Sequence, residues 1–407
     1  MTASRRFDVV VIGAGPAGSR AAAQIARSAR RVLLLEKRPR VGYPVRCAEA
    51  VGPREDVERY LPLDDRLVSS PINGFLVVAP DGTRFEREMP GIGFIVDREL
   101  FDQRLAADAV SAGAELRTGH QAMGLIREGT QVLGVRVKNL ASGSEYDERA
   151  EVTVGADGVE SLSPRWAGLK KSLRPDELFA CAEELIEGID LPGAFVEFHL
   201  GRIVAPGGYA WVFPKGTGKA NVGVGINPLR AGGKTAVEYL NAFIAHRAPG
   251  GKRARLVIGG CSVARGLSAL AVGGFVAVGE AANQNNPFSG GGIINALEGA
   301  DMAASAVAAA LDKGSASAKD LGAYTREWRR TVGKSNDAFY HAARIFYGLP
   351  DEEMSRMARE LSGVPGLFDE KGIKPLRMVR TLVAAHPRLL IQFAGSRLGG
   401  KRRGGDR

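Results

Sequence analysis

The sequence predicts a mixed fold, α/β plus α+β: a parallel-sheet unit, an antiparallel sheet and a helical C-terminal region. Three observations carry it. The chain opens strand, glycine turn, helix, strand; its middle alternates in a strand-like way between Pro and Gly turns; from Leu321 onward the pattern is helical. The 407 residues, 45% of them hydrophobic, suffice for a large core and two or three structural units.

In the first unit, residues 7–12 read as a strand and Gly13-Ala14-Gly15-Pro16-Ala17-Gly18 as the turn. Residues 19–29 read as an Ala-rich helix, and residues 32–35 as a second strand ending on Glu36. Gly13 permits the tight turn, Gly15 lets the backbone approach a pyrophosphate, and Gly18 allows close helix-to-strand packing. The helix start offers unpaired N–H groups and a positive dipole end to the phosphates. Glu36 is placed to accept hydrogen bonds from adenosine ribose hydroxyls. This is a Rossmann-type dinucleotide signature, and alone it says only flavin or nicotinamide. Two later segments, Val154-Gly155-Ala156-Asp157-Gly158 and residues 275–282 with Glu280, end strands on a small-residue turn and a carboxylate. Asn286-Pro287-Phe288-Ser289-Gly290-Gly291-Gly292-Ile293 then opens a second Ala-rich helix; the bland alternative for its glycines is a flexible loop. Arg5-Arg6 before Val9 to Ile12 imitates a signal peptide, but the apolar run is too short and leads straight into the glycine motif. Residues 293–311 are interrupted by Glu298 and Asp301, so no apolar run reaches the length of a membrane span. A cytoplasmic protein is expected.

In the middle region, residues 75–78, 195–200, 209–213 and 220–225 are the clearest strands. Alternation puts Tyr209, Trp211 and Phe213 on one face. Such a face suits a long apolar chain, since aromatics bring contact area while the Tyr hydroxyl and Trp N–H still reach polar partners. Core packing explains three aromatics equally well by themselves.

The longer pattern is more specific: Pro206-x-x-Tyr209-x-Trp211-x-Phe213-Pro214, eight residues, then Gly223-x-Gly225. Its spacing resembles the hallmark of the geranylgeranyl reductase family, FAD enzymes that saturate the carbon–carbon double bonds of isoprenoid chains. They sit in an aromatic-hydroxylase-like flavoprotein superfamily. The resemblance covers nearly the whole chain. It implies an oxidoreductase of lipid biosynthesis acting on geranylgeranyl groups of lipids or prenyl diphosphates, with hydride from reduced flavin. It implies an FAD-binding domain of residues 1–70, 95–167 and 271–320, a substrate sheet of residues 71–94 and 168–270, and a helical region of residues 321–407.

By the same resemblance Asp157, Glu280, Gly291, Gly292 and Ile293 are flavin contacts, although the group usually carries Asp where Glu280 stands. The helix start at Gly292 would stabilise negative charge on the reduced ring. Arg46-Cys47-Ala48-Glu49-Ala50 and residues 95–102 look like family motifs, so Cys47, Ala48, Ala50, Arg98 and Ala122 are expected against the flavin. Ala50 stands where the family often has Gly. Cys47 is a candidate proton donor or a shaping residue beside it, and Tyr209 and Trp211 join it as catalytic candidates. Tyr209, Trp211, Phe213, Pro214, Gly223 and Gly225 are the expected substrate contacts. Two rivals share the scaffold: an aromatic monooxygenase or halogenase, and a membrane-associated electron-transfer flavoprotein, which the missing cysteine cluster disfavours. There is no second glycine fingerprint, so either NADPH visits the flavin or a small carrier such as ferredoxin donates.

The net charge of +10 is uneven. Residues 371–407 hold ten basic residues against one acidic, Asp406, and Ile373, Leu376, Val379, Leu382 and Val383 at helical spacing. A basic amphipathic tail points to peripheral contact with an anionic membrane surface; the alternative is a helix docked on an acidic face of its own protein. No nucleic-acid module accompanies the charge, so nucleic acid is not an expected partner. Cys47, Cys181 and Cys261 lie far apart with no C-x-x-C pair, which argues against a disulfide framework, a zinc site or an iron–sulfur cluster. The five histidines lack metal spacing and read as structural or surface residues.

Overall fold

The computed structural model describes residues 7–170 and 172–362, with the backbone of two short paired strands, Phe368–Asp369 and Gly372–Ile373. The opening apolar run becomes the strand Val9–Ile12, central in a six-stranded sheet because both its neighbours are parallel: Val32–Glu36 on one side and Val152–Gly155 on the other. Phe275–Ala277 extends the sheet beyond Val152–Gly155, with Ala271–Val272 antiparallel at that edge, and Glu115–Thr118 closes the opposite edge. A strand covered on both faces needs apolar residues at every position, which is why Val9, Val10 and Val11 do not alternate and are fully buried.

The two faces are covered differently. Val9, Val11 and Leu34 pack against the helices Pro16–Arg27 and Ile293–Asp312, while Val10, Ile12, Leu33 and Leu35 pack on Val135 and Val137. The latter pair belongs to an antiparallel sheet of His120–Glu128, Gln131–Asn139 and Glu145–Arg149, which the sequence reading did not foresee. The first helix also starts at Pro16, inside the glycine motif rather than after it, since Pro fits the first turn, where its missing N–H is not needed.

By length and composition alone the helix Ile293–Asp312 is apolar enough to cross a membrane, so Glu298 and Asp301 do not exclude a span as expected. Half of it is buried inside the protein. Asp301 has a partner there: Arg20 of the first helix bonds both its carboxylate oxygens, at 2.6 and 3.0 Å.

The second sheet has eight strands in the order Lys252–Ser262, Leu178–Glu187, Lys219–Ile226, Tyr209–Pro214, Phe195–His199, Val68–Val78, Arg84–Val96 and Ala50–Val51. Its pairings are antiparallel except where Phe195–His199 meets Val68–Val78, the seam between the two segments that build it. One face is sealed by the helix Ala236–Arg247, whose Leu240, Phe243 and Ile244 pack on Ala182, Ile186, Val222 and Val224. Thr235 and Glu238 form a capping box that starts this helix. The opposite face carries the aromatics and looks toward the nucleotide unit.

The helices Ala323–Arg330, Val332–Phe346 and Asp351–Ser362 follow, within the region read as helical from Leu321 onward. Phe346, Tyr347, Leu349 and Met357 pack with Phe179 and Leu200 of the second sheet. The helical spacing read from Ile373 begins instead on a strand residue, paired with Phe368. The rest of the basic tail lies outside the described residues.

Candidate functional site

A cavity of about 600 Å³ runs from the glycine turn to the aromatic face of the second sheet. At one end Gly13 takes a left-handed conformation (φ 99°), and a Cβ there would stand 2.5 Å from the Ala156 carbonyl oxygen. A Cβ on Gly18 would overlap the Gly13 carbonyl oxygen, so this glycine sets how closely the helix meets the turn. Gly15, the helix N-cap, has nothing within 4 Å of its missing side chain, and together with Ala14 and Ala17 it borders the cavity. That opening, at the N-terminus of a helix, is what a pyrophosphate requires. The residues therefore fit a dinucleotide such as FAD.

Glu36 lines the same end. Its Oε2 accepts the Ala14 N–H and its Oε1 the Arg38 N–H, both at 2.9 Å, which fixes the carboxylate at the tip of its strand. A carboxylate oxygen accepts more than one bond, so ribose hydroxyls can be added. Glu36→Ala is expected to weaken FAD binding by roughly 1.5–3 kcal/mol, about ten- to a hundredfold in Kd. Flavin fluorescence titration measures this, and an unchanged Kd would place the ribose elsewhere.

Asp157 and Glu280 line the middle of the cavity, but their carboxylates already have partners. Asp157 accepts from the Ser163 hydroxyl at 2.6 Å and from the Leu162 and Ser163 N–H groups, organising the short helix Ser163–Trp166. Glu280 accepts the Ser262 N–H at 2.9 Å; burial pushes its acid up, against the pull of Lys170. Gly291, Gly292 and Ile293 border the cavity where the second Ala-rich helix begins, with Gly292 as its N-cap. Ala122 borders it from the three-stranded sheet, beside His120.

Around the aromatic end, Cys47, Ala48, Ala50 and Arg98 come together. Arg98 holds Asp102 through two bonds of 2.9 Å, one helical turn along. Burial works against the Arg98 charge, but Asp102, with Glu49 nearby, holds it well above its ordinary range. Burial pushes the Cys47 thiol up, with Arg98 opposing, so the thiol keeps its proton at neutral pH.

The strand Tyr209–Pro214 delivers Tyr209, Trp211 and Phe213 to the cavity, as alternation required. Phe198 joins them, 5.6 Å from Tyr209 and 5.5 Å from Phe213 between ring centres. The Tyr209 hydroxyl donates to the Ser289 carbonyl and so ties the substrate sheet to the glycine loop. Burial drives its ionisation well above the usual tyrosine range. Gly225 borders the cavity, whereas Gly18, Pro214 and Gly223 do not. Gly223 serves the site indirectly: a Cβ there would lie 2.8 Å from Trp211 Nε1, in space that the indole fills.

Residues 177–263, most of this sheet, match the family model described as the geranylgeranyl reductase catalytic domain, and residues 8–162 match the FAD-dependent oxidoreductase model. A digeranylgeranylglycerophospholipid reductase of Methanosarcina acetivorans is 42% identical over 365 residues, 88% of this chain and 89% of the relative. The chain belongs to the geranylgeranyl reductase family. It is an FAD-dependent oxidoreductase. Among solved structures, a geranylgeranyl bacteriochlorophyll reductase-like protein from Thermoplasma acidophilum superposes with a TM-score of 0.87 at 28% identity, over 96% of this chain and 98% of that one. A flavin-dependent brominase has a TM-score of 0.70 at 19% identity, over 94% of this chain and all of the brominase, a likeness of fold alone.

Several residues of this family member's site escaped the sequence reading. Cys181 and Cys261, distant in the chain from Cys47, border the same cavity, because Leu178–Glu187 and Lys252–Ser262 are neighbouring strands. Their alternation with Phe179 and Gly259 was the available signal. Glu49, quoted within a motif but given no role, is buried at positive φ (71°), a strained state for a side chain of its size. Its carboxylate is held by Asn221 at 2.6 Å, by the Arg98 N–H at 3.1 Å and by Lys215. Glu183 also lines the cavity, and Trp211 Nε1 donates to its Oε2 at 2.9 Å. His199, read as structural, bonds Glu197, which Arg247 also holds. Among the described residues, no group of three or more His, Cys, Asp or Glu could hold a metal ion.

Proposed function

We propose that this protein saturates the carbon–carbon double bonds of geranylgeranyl chains, carried on a glycerophospholipid or a related isoprenoid with an anionic headgroup. The observation that carries the reading is one continuous cavity, with a pyrophosphate cradle at one end and a wall of Phe179, Phe198, Tyr209, Trp211 and Phe213 at the other. The substrate named for the Methanosarcina relative supports it. When bound, FAD in its reduced form supplies hydride. An unactivated alkene develops little charge for a site to hold, so the aromatic wall works chiefly by positioning the chain and excluding water. Cys47 and Arg98 shape the reacting end. Electrons come from NADPH visiting the site or from a small carrier such as ferredoxin, and the basic tail brings the enzyme to the anionic surface where its lipid resides.

Chemical reduction bypasses the unidentified donor. The FAD-loaded protein, reduced with dithionite without oxygen, is expected to reoxidise when given a digeranylgeranyl glycerophospholipid, and mass spectrometry should find products heavier by two hydrogens for each bond reduced. Cys47→Ala should keep FAD and slow this step. If no isoprenoid reoxidises the flavin while oxygen and an aromatic substrate yield hydroxylated or halogenated product, the protein is a monooxygenase or halogenase.

A further inference from the structure

The sheet face under the cavity is laid out in rows across four strands. Trp211 stands opposite Gly223, Gly223 opposite Glu183, and Glu183 opposite Val257. A side chain at Gly223 would separate the first and third members. Its absence lets the indole lie across the row and put its N–H on Glu183. On the strand Leu178–Glu187, Glu183 shares a face with Phe179 and Cys181, and all three border the cavity, whereas Ala182 and Ile186 point into the core beneath the helix Ala236–Arg247. A carboxyl has thus been placed, only 7% exposed, in the aromatic floor of an apolar chain site. Burying such a group costs several kcal/mol unless it has a full set of partners. Among the described residues its hydrogen bond is the one from Trp211, on Oε2, which leaves the other oxygen for the cavity.

We propose that Glu183 is the acid that supplies the proton of the reduction. This rests on the alkene-reductase reading above. Reduction of one double bond needs a hydride, which bound reduced FAD would supply with two electrons as its N–H bond breaks, and a proton from Glu183, whose O–H bond breaks; the π bond opens and one C–H bond forms at each carbon. The carboxylate left behind regains its proton from water before the next turnover.

The other acids of the cavity are less suited. The Tyr209 proton is committed to the Ser289 carbonyl, and burial pushes its ionisation and that of the Cys47 thiol upward. Burial raises the Glu183 carboxyl to about 7, against the Trp211 hydrogen bond, with Glu49 adding to the rise. A general acid is most effective near the working pH. The groups that bear on its titration are Glu49 and Cys47 from the segment before Ala50–Val51, Lys215 beyond Tyr209–Pro214, and Arg255 on the neighbouring strand. Cys181 lies on its own strand, and burial raises that thiol to about 12. Both thiols are neutral at pH 7, so they leave the Glu183 charge balance to Glu49, Lys215 and Arg255.

Glu183→Gln keeps the acceptor for Trp211 and removes the acid. In anaerobic mixing of reduced, FAD-loaded protein with a digeranylgeranyl glycerophospholipid, E183Q is expected to load and reduce FAD normally but to reoxidise about a hundredfold more slowly than wild type. The acid must be protonated, so the wild-type rate falls as pH rises through about 7. That limb should vanish in E183Q, persist in C47A, and return with part of the rate in Glu183→Asp. Infrared difference spectra of the oxidised holoprotein, titrated across neutral pH without substrate, should show a carboxylic acid band that E183Q lacks. Wild-type reoxidation with E183Q equally fast, or slow but with the limb intact, excludes Glu183 as the acid while the reductase reading stands. Failure of wild type to reoxidise with any isoprenoid removes both. Should E183Q fail to load FAD, E183D decides: a rate and limb unchanged from wild type together with no titrating acid band in wild type exclude Glu183.

Discussion

Gly223→Val is expected to remove most alkene reduction, by more than about a hundredfold, from a protein that still carries FAD. The Trp211 indole occupies the space over Gly223, and even a Cβ would approach Nε1 to 2.8 Å. Valine adds two methyl groups beyond it. The indole has to swing off the sheet, toward the cavity where the substrate lies or away from it, and in either case it leaves Glu183 without its donor. A misplacement of about 1 Å at a positioning group costs on the order of a hundredfold in rate. Gly223 does not border the cavity, so the nucleotide end is untouched and the flavin spectrum should match wild type. Stopped-flow reoxidation of the reduced holoprotein measures the loss. Wild-type rates in the valine variant would show that the indole does not need its seat across the strand.

Gly18→Ala is expected to yield protein without FAD. The added carbon overlaps the Gly13 carbonyl oxygen and stands 3.2 Å from the Ala156 side chain, two contacts with parts that cannot rotate away. Relief requires the helix Pro16–Arg27 to back off the turn, which carries the pyrophosphate-facing N–H groups out of reach. The flavin absorbance of purified protein gives the answer, and circular dichroism separates loss of the cofactor from loss of the fold. A yellow variant with wild-type FAD content would mean that the turn tolerates a wider gap.

The nucleotide end of this site was legible because its chemistry is written in consecutive residues. Gly13, Gly15, Gly18 and Glu36 lie within one strand–turn–helix–strand, and the spacing that serves the phosphates is a spacing along the chain. The aromatic face was legible for a similar reason, since period-two alternation is a local property of Tyr209, Trp211 and Phe213. The other half of the site depends on register between strands. Glu183 meets Trp211 through a pairing with Gly223 forty residues along the chain, and Glu49 meets Asn221 across more than four times that separation. Nothing in the local sequence around Glu183 separates it from Glu184, which faces the other way and bonds Arg253. The same limit hid the meeting of three thiols in one cavity. Gly223 was placed correctly in the signature, but its service to the indole required the sheet.

The parallel seam between Phe195–His199 and Val68–Val78 has a consequence for how the molecule is made. Phe195 pairs with Gly74, and the intervening stretch contains two strands of the six-stranded sheet, Glu115–Thr118 and Val152–Gly155, and the whole three-stranded sheet. Contacts that close so long a loop form slowly, because the entropy of closure is lost before any pairing repays it. On a ribosome the hairpin Val68–Val78 and Arg84–Val96 emerges early with one edge unpaired, and it keeps that edge until the chain beyond residue 199 is available. An open strand edge invites association with other chains, so the nascent protein passes through a window of exposure that its finished form does not reveal.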